Sequence, residues 1–202
     1  MSLIRLSSSM TIRRPVSLCL GTFDGVHLGH QALIRACVGK AGQMGLVPSA
    51  FVFECPPAVV FSRNKAEPVL TEIGEKGRLL EQYGIEQVVF TAFDEEFANY
   101  SYRAFFDRII VRQMNAKHVV VGFHYRFGKH AEGNATILTD LCKASGISID
   151  VIPPVKTADG LLVSSTAVRR FIIEGNRGAA EAMLGRSLLP REEQLLGGVA
   201  NE

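Results

Sequence analysis

Short apolar runs alternate along the chain with longer stretches in which hydrophobic residues recur every three or four positions. An apolar run of about four to eight residues between turn residues is typical of a buried strand, whereas the longer period is typical of an amphipathic helix. The pattern predicts strands over 16–20, 46–53, 87–91, 118–121 and 147–152, and helices over 33–44, 72–83, 102–113, 135–145, 166–174 and from there to 184.

Strands that alternate with single helices are joined by right-handed crossovers and form a parallel sheet covered by helices. The runs at 88–90 and 119–121 are apolar at every position, as expected of strands buried on both faces. The sequence therefore predicts a Rossmann-like α/β fold, with a doubly wound, five-stranded, mainly parallel sheet and helices on both faces. Such a sheet binds ligands at the carboxyl ends of its strands.

A length of 202 residues fits one domain with short appendages. Residues 15–188 carry the alternating pattern and are predicted to form that domain. Residues 1–14, which include a serine run at 7–9, are predicted to be a flexible N-terminal segment, and residues 189–202 a C-terminal tail.

Composition narrows the class of protein. Hydrophobic residues make up 47% of the chain, which is enough for a sizeable core, and the net charge of +2 does not favour a nucleic-acid-binding surface. No apolar run approaches the ~20 residues that cross a bilayer, and Pro15 interrupts the stretch after Arg14 before a signal-peptide core forms. We expect a cytoplasmic protein that binds neither nucleic acid nor membrane; the sequence does not indicate an oligomeric state.

The cysteines are scattered, without a C-x-x-C pair or a spacing typical of metal ligands. Cys19, Cys37 and Cys142 lie in predicted strands or helices, where a free cysteine behaves as a small hydrophobic residue. They are therefore expected to be buried thiols.

The segment after the first strand combines glycines with two histidines: Gly21-Thr22-Phe23-Asp24-Gly25-Val26-His27-Leu28-Gly29-His30. Glycines permit a tight turn, and the helix that follows directs free N–H groups and its positive dipole end toward the tip of the strand. His27 and His30 share one face of the first helical turn, and Gly29 leaves the backbone open to a ligand. Two imidazoles in this position suit a phosphate whose charge rises during a reaction.

Two other interpretations of the histidines stay open. They can be surface residues without a function, or ligands of a zinc ion, although no acidic or cysteine partner lies at a convincing spacing.

The better-known phosphate-binding loop motifs do not match this sequence. No G-x-G-x-x-G follows the first strand, and the string from Gly122 to His130 has five residues between its glycines where a P-loop has four.

A second candidate motif, Ser164-Ser165-Thr166-Ala167-Val168-Arg169, leads from a short apolar run into a predicted helix. Hydroxyls at the start of a helix can cap it, and they can also donate to phosphate oxygens. Arg169 lies one turn further on and has a planar fork suited to a polyphosphate. Alone, such a motif is usually only a cap; together with the histidine pair it indicates a nucleotide site.

H-L-G-H after G-T-F-D-G, with S-S-T-A-V-R late in the chain, resembles the H-x-G-H and S-S-T-x-x-R signatures of the nucleotidylyltransferase superfamily. More closely, these motifs together with V-V-V-G-F-H-Y-R-F-G-K and L-G-R resemble the adenylyltransferase module of bacterial FAD synthetases, the bifunctional riboflavin kinase/FMN adenylyltransferases. The resemblance covers roughly residues 15–188, in order and at compatible spacing.

The resemblance implies an FMN adenylyltransferase that converts ATP and FMN to FAD and pyrophosphate by direct attack of the FMN phosphate on the α-phosphorus of ATP. By similarity, His27 and His30 hold the α- and β-phosphate oxygens, and Arg169 holds the departing end with Ser165 and Thr166. Further expected ATP contacts are Gly21, Thr22, Phe23, Asp24, Gly29 and Ser164, of which residues 22–24 are expected to contribute backbone N–H groups. Mg²⁺ is expected to accompany ATP, and no protein ligand for it is predicted.

The flavin is expected to bind between two segments that follow strands. The residues concerned are Phe53, Cys55, Phe123, His124, Tyr125, Arg126, Phe127 and Lys129, with Phe61 in the long loop from Glu54 to Leu70. The sequence departs from the family here in two places. The usual F-x-P-H-P is replaced by Phe53-Glu54-Cys55-Pro56-Pro57, and His124 stands where the family usually has Asp or Asn.

Two alternatives to this function stay open: a nucleotidylyltransferase with a different phosphate acceptor, and a flavin- or nucleotide-binding module that does not turn over. The resembling bifunctional proteins carry a separate kinase domain after L-G-R, where only residues 187–202 follow here. From the sequence we therefore expect no riboflavin kinase domain.

Overall fold

The computed structural model describes residues 1–57 and 68–197. Six strands form one sheet whose neighbouring strands are all parallel. They are β1 (Ser2–Arg5), β2 (Val16–Leu20), β3 (Val47–Phe53), β4 (Gln87–Thr91), β5 (Ala116–Gly122) and β8 (Ser148–Ile152), in the order β1-β4-β3-β2-β5-β8. Between β5 and β8, β6 (Arg126–Phe127) and β7 (Gly133–Asn134) form a small antiparallel pair.

The described helices are α1 (Leu28–Met44), α2 (Ile73–Gln82), α3 (Glu95–Ala98), α4 (Tyr102–Phe105), α5 (Ala135–Ala144), α6 (Ser165–Ile173), α7 (Arg177–Leu184) and α8 (Pro190–Gln194). Helix α4 continues as a π-helical segment over Phe106–Gln113, which ends where the Met114 N–H donates to the Ile109 carbonyl. Single-turn 3₁₀ helices occupy Asp24–Val26 and Lys129–Ala131. None of the helices in the described ranges is both long and apolar enough to cross a membrane.

Two hydrophobic clusters cover the two faces of the sheet. Successive residues of β2 point to opposite faces, so Leu18 packs in one cluster with Ile109 and Cys19 packs in the other with Ile34. The predicted burial of Cys19, Cys37 and Cys142 is confirmed. A third cluster joins Leu70 to α6 and α7.

The strand order fixes where a ligand can bind. From β2 the chain runs outward through β3 to β4, and it then returns to place β5 on the other side of β2. The reversal between β2 and β5 is a topological switch point, and crevices form there at the carboxyl ends of the strands. The segments that follow β2 and β5 are those in which the sequence predicts chemistry.

The α/β fold with a parallel sheet is confirmed, but the expected strand number is wrong. The sixth strand is β1, which pairs with β4 from Ser2↔Gln87 to Arg5↔Phe90, so residues 2–5 of the expected flexible segment belong to the sheet. Its pattern is hard to recognise, because only Ile4 faces the core while Leu3 remains 41% exposed.

Part of the expected C-terminal tail is also ordered structure. Residues Pro190–Gln194 form α8, and the side chain that anchors it is the fully buried Glu192. A buried glutamate gives no hydrophobic signal in the sequence, which explains the error. Residues 198–202 lie outside the described ranges.

Candidate active site

A cavity of about 1010 Å³ opens at the switch point. Gly21 and Thr22 line it after β2, and Gly122 and Phe123 line it after β5. Pockets for ligands of drug size measure about 300–1,000 Å³. The cavity is therefore large enough for a sizeable ligand, or for two smaller ones.

The two predicted histidines lie side by side in this cavity. Their rings are stacked, with centroids 3.7 Å apart and planes 14° apart. His27 precedes α1 as its N-cap, and its Nδ1 accepts a hydrogen bond from the His30 backbone N–H at 3.3 Å. A Cβ on Gly29 would lie 3.1 Å from the His27 ring, so any larger residue here would crowd the imidazole.

Burial keeps both imidazoles neutral. It lowers the pKa of His27 to about 4, and burial together with the neighbouring His27 and Lys76 charges holds the pKa of His30 well below its usual range. Because His27 Nδ1 accepts a hydrogen bond, the proton of the neutral ring sits on Nε2, where it can be donated. His30 Nδ1 is buried and has no hydrogen-bond partner among the described residues. The pair is thus poised to bind an anionic or strongly polar ligand.

Asp24 and Arg169 hold the loop between β2 and α1. The Asp24 carboxylate is fully buried and accepts backbone N–H groups of Leu70 at 3.2 Å and Thr71 at 3.0 Å. Arg169 Nη2 donates to Asp24 Oδ2 at 2.7 Å, and its Nε donates to the Pro68 carbonyl at 3.0 Å. Neither residue lines the cavity. In this structure the two side chains form a buried ion pair behind the loop, and the predicted ATP contacts of Arg169 and of the Asp24 backbone stay predictions.

The three hydroxyls of the second motif have different environments. Ser164 lines the cavity, and its Oγ caps α6 by accepting the Ala167 N–H at 3.2 Å. Ser165 Oγ donates to the Asp24 carbonyl at 3.0 Å and thereby joins α6 to the loop. Thr166 lies outside the cavity, in a shallow groove beside Arg170. Of the three, only Ser164 lines the cavity, and the ATP contacts of all three hydroxyls stay predictions.

The loop before α1 has an unusual backbone. Phe23 has a φ of 50° and Val26 a φ of 43°, both in the left-handed region. A β-branched residue such as Val rarely adopts that region, and strained residues of this kind persist only where the surroundings hold them. Phe23 is also fully buried, with its ring 5.0 Å from that of His30. The ring supports the histidine from below, and the ATP contact predicted for the Phe23 backbone stays a prediction.

The other wall of the cavity is aromatic. The predicted flavin residues that line it are Phe53, Phe123, His124, Tyr125, Arg126, Phe127 and Lys129. Two residues that the sequence analysis missed, Phe93 and Phe97, extend this wall. Their rings lie 4.9 and 5.1 Å from that of Phe53, both edge to face. Phe93 and Phe97 are four residues apart in an otherwise acidic segment, and this spacing is the sequence signal that could have identified them.

Positive charge lies at the rim of the aromatic wall. Arg126 and Lys129 are both exposed and both border the cavity. The turn that presents them needs glycine at 128, where φ is +78° and a Cβ would lie 2.5 Å from the Tyr102 nitrogen. Cys55, which is also predicted to contact the flavin, does not line this cavity, and Phe61 lies outside the described residues.

Lys76 is a further residue that sequence reasoning missed. It is fully buried on α2, and its Nζ donates to the Phe53 carbonyl at 3.1 Å, at the end of β3. Burial lowers its pKa. No sequence signal identifies it, because a lysine in a polar helical segment is normally exposed.

The part of the chain that the structure describes contains no group of three acidic, histidine or cysteine side chains that could hold a metal ion. The carboxylate nearest the histidine pair in sequence, Asp24, is occupied by Arg169 and two backbone N–H groups. These residues do not fit a protein-held Mg²⁺ at the histidine pair.

Comparison with known proteins gives a family match over most of the chain. The family model described as FAD synthetase matches residues 9–167. The chain belongs to that family. It is 38% identical over 170 residues to the bifunctional riboflavin kinase/FMN adenylyltransferase of Listeria monocytogenes and 33% identical over 168 residues to that of Escherichia coli K12, in each case over 83% of this chain and 53% of the relative. The chain thus spans about half the length of these curated relatives.

A shorter relative is matched along most of its length. The putative bifunctional riboflavin kinase/FMN adenylyltransferase of Geobacillus thermodenitrificans is 31% identical over 168 residues, which is 83% of this chain and 88% of the relative. Among solved structures, one named macrolide-efflux protein from Streptococcus pneumoniae has a TM-score of 0.83 and 28% identity, over 92% of this chain and 60% of that one. In fold alone, the chain also resembles the pantoate-beta-alanine ligase of Francisella tularensis, with a TM-score of 0.50 and 14% identity over 81% of this chain and 72% of that one.

Proposed function

We propose that this FAD synthetase family member is an FMN adenylyltransferase that converts ATP and FMN to FAD and pyrophosphate. The observation that carries the proposal is the stacked, neutral histidine pair at the start of α1, which shares one cavity with an aromatic wall and a basic rim. One end of the cavity suits a polyphosphate and the other suits a flat ring system with a phosphate.

In the proposed reaction, an oxygen of the FMN phosphate forms a bond to the α-phosphorus of ATP. The bond from that phosphorus to the oxygen bridging to the β-phosphorus breaks, and pyrophosphate leaves with the bonding pair. No covalent bond to the protein forms, so catalysis consists of positioning and of stabilising developing charge. The Nε2–H of His27 and the imidazole of His30 supply donors aimed at the α- and β-phosphate oxygens.

The other residues bind and orient the two substrates. We assign the N–H groups after β2 and the Ser164 hydroxyl to ATP, and Arg126 and Lys129 to the FMN phosphate. Phe53 and Phe97 offer ring edges and faces to the isoalloxazine. Asp24, Ser165 and Arg169 act through the loop that carries His27. Mg²⁺ is expected to arrive with ATP, coordinated by phosphate oxygens and water.

The test is pyrophosphate release from ATP by the purified protein, with FAD formation followed in parallel. FMN is compared with riboflavin, which has the same ring system but lacks the attacking phosphate, and with phosphopantetheine and nicotinate mononucleotide. Release with FMN alone, matched by FAD, supports the proposal. Release with another phosphate instead would identify a different nucleotidylyltransferase, and FMN binding without any release would identify a binding module.

A further inference from the structure

Arg186 connects the C-terminal part of the chain to the histidine loop. Its guanidinium binds both carboxylate oxygens of the fully buried Glu192, at 2.7 and 2.8 Å. Its Nη2 also donates to the Gly25 carbonyl at 2.8 Å. Glu192 is fixed in turn, because one of its oxygens accepts the Leu189 N–H at 2.8 Å. Arg186 lies beyond residues 9–167, which the family model matches.

The carbonyl that Arg186 holds lies in the strained part of the loop. Gly25 has a φ of 79°, and the next residue, Val26, has a φ of 43°. Val26 in turn precedes His27. A β-branched residue is strained in the left-handed region, so this conformation has to be held by its neighbours. A change at Gly25 is therefore transmitted directly to the position of the His27 ring.

A second contact from the same region supports this restraint. Gln31 Nε2 donates to the Val26 carbonyl at 3.0 Å and to the Leu184 carbonyl at 2.7 Å, at the end of α7. Two successive carbonyls of the loop are thus tied to the C-terminal end of α7 and the residues that follow it: Gly25 by Arg186, and Val26 through Gln31. The stacking of His27 on His30 depends on the loop holding its shape.

We propose that Arg186 is a positioning residue for the adenylyl transfer: through the Gly25 carbonyl it keeps the strained loop, and with it His27, in the geometry that stacks the two imidazoles. This inference rests on the proposed function. Displacement of a catalytic group by about 1 Å can cost about a hundredfold in rate. A purely structural role, in which Arg186 only attaches α8, predicts a loss of stability without a specific loss of turnover.

The chain contains a matched control. Arg177 also joins α7 to a carboxylate of α8, with Nη1 at 2.6 Å from Glu193 Oε1, but both side chains are exposed and neither contacts the loop. Arg177→Gln therefore removes another ion pair to α8, together with the Arg177–Glu181 pair within α7, and leaves Gly25 untouched. Arg186→Gln removes the donor to Gly25 but also leaves Glu192 buried without its cation. The double variant Arg186→Met/Glu192→Gln removes the donor without an uncompensated buried charge.

Three measurements are made on the wild type and these variants: kcat and KM for ATP in FMN-dependent pyrophosphate release, the thermal midpoint, and hydrogen exchange of the peptide over residues 21–30. In both Arg186 variants we expect kcat to fall about tenfold to a hundredfold, with the KM for ATP changed less than about threefold. Exchange in the peptide should accelerate, whereas Arg177→Gln should match the wild type in kcat and in exchange.

A double variant that folds, exchanges like the wild type and keeps its kcat overturns the proposal. So does faster exchange with an unchanged kcat, which would make Arg186 structural only. If the wild type itself releases no pyrophosphate with FMN, the proposed function fails. In that case, hydrogen exchange and pyrophosphate binding still test whether Arg186 holds the loop for a phosphate ligand. Wild-type affinity for pyrophosphate in the double variant would refute this role of Arg186.

Discussion

Arg169 and Asp24, 145 residues apart in the chain, form a buried ion pair with 2.7 Å between Nη2 and Oδ2. The pair joins α6 to the loop that carries His27. The carboxylate has two backbone donors and the guanidinium also binds the Pro68 carbonyl, so both charges are well solvated by protein groups. In this arrangement the arginine of the second motif supports the site from behind.

Removing one partner of this pair is expected to destabilise the protein strongly. Arg169→Gln leaves the Asp24 carboxylate buried without its cation, and breaking a buried pair in this way costs about 3–5 kcal/mol. Arg169→Lys keeps the charge but cannot serve both acceptors from one planar fork, so an intermediate loss is expected. The measurement is the free energy of unfolding from urea denaturation.

Arg170→Gln is the control for this prediction. The neighbouring Arg170 pairs with Glu174 at 3.9 Å, and both side chains are more than half exposed, so its removal should cost less than about 1 kcal/mol. Equal stabilities of the Arg169→Gln and Arg170→Gln variants would show that the buried pair does not support the fold.

The histidine pair should be essential to turnover. Removing one donor aimed at transition-state charge costs roughly 10²–10³-fold in kcat, which we expect for His30→Ala and His27→Asn. Asn is a preferred N-cap residue, so His27→Asn retains an acceptor for the His30 N–H while removing the imidazole. His27→Ala loses both and should also lose ~0.5–2 kcal/mol of stability.

Comparing kcat and unfolding free energy across these three variants separates the two roles of His27. Wild-type turnover in His27→Asn or His30→Ala, with normal stability, would show that the pair has no catalytic importance.

Acid should destabilise the folded protein through His27. Its pKa is about 4 in the folded state against about 6.5 when unfolded, so the unfolded chain takes up the proton first as the pH falls. The contribution is complete above pH 6.5 and is lost between pH 6.5 and 4, by about 3 kcal/mol for a difference of this size. Burial is the main cause of the lowered pKa of His27. The charge of Asp24 acts in the opposite direction and raises this pKa, whereas the charge of Arg169 lowers it further.

Urea midpoints of the wild type and His27→Asn, measured from pH 7.5 to 4, test this dependence. His30 and His118 also have lowered pKa values and change stability in the same direction, but they are present in both proteins. The wild type should therefore lose more stability than the variant over this interval. Parallel curves would mean that His27 is accessible to protons in the folded state.

The central part of the fold could be predicted because its strands are buried on both faces. Runs such as 119–121 have no polar position, and glycines at 45 and 84 end the helices that follow the core pattern. The errors occur where burial is partial or polar. In β1 only Ile4 packs against the core, and α8 is anchored by Glu192, whose burial depends on an arginine six residues away.

The residues of the candidate site also divide into those that the sequence predicts and those that only the tertiary fold brings together. His27, Gly29 and His30 were predictable because they lie in one turn, so their spacing fixes their relative positions. The partner of Arg169 was not predictable, because it is set by the packing of α6 against a loop 145 residues earlier. Lys76 was missed for a similar reason, since only the tertiary fold places it against the end of β3.

The last prediction concerns the flavin side of the cavity, where the sequence departs from its family. His124 is exposed at the cavity mouth, and its ring lies edge to face on Phe123 with centroids 5.1 Å apart. Asn at this position has a shorter side chain whose amide can both donate and accept, as the edge of a flavin requires. One hydrogen bond gained is worth about 0.5–1.5 kcal/mol, so His124→Asn should lower the KM for FMN by about twofold to tenfold.

The KM for ATP is the internal control, because the proposed ATP contacts are made by other residues of the cavity lining, namely the histidine pair and Ser164. It should stay unchanged in His124→Asn, and kcat should change little. A rise in the KM for FMN would show that the imidazole itself contributes to binding, for instance by stacking. An equal shift in both KM values would place His124 outside the flavin end, and the departure from the family would then need a different explanation from flavin recognition.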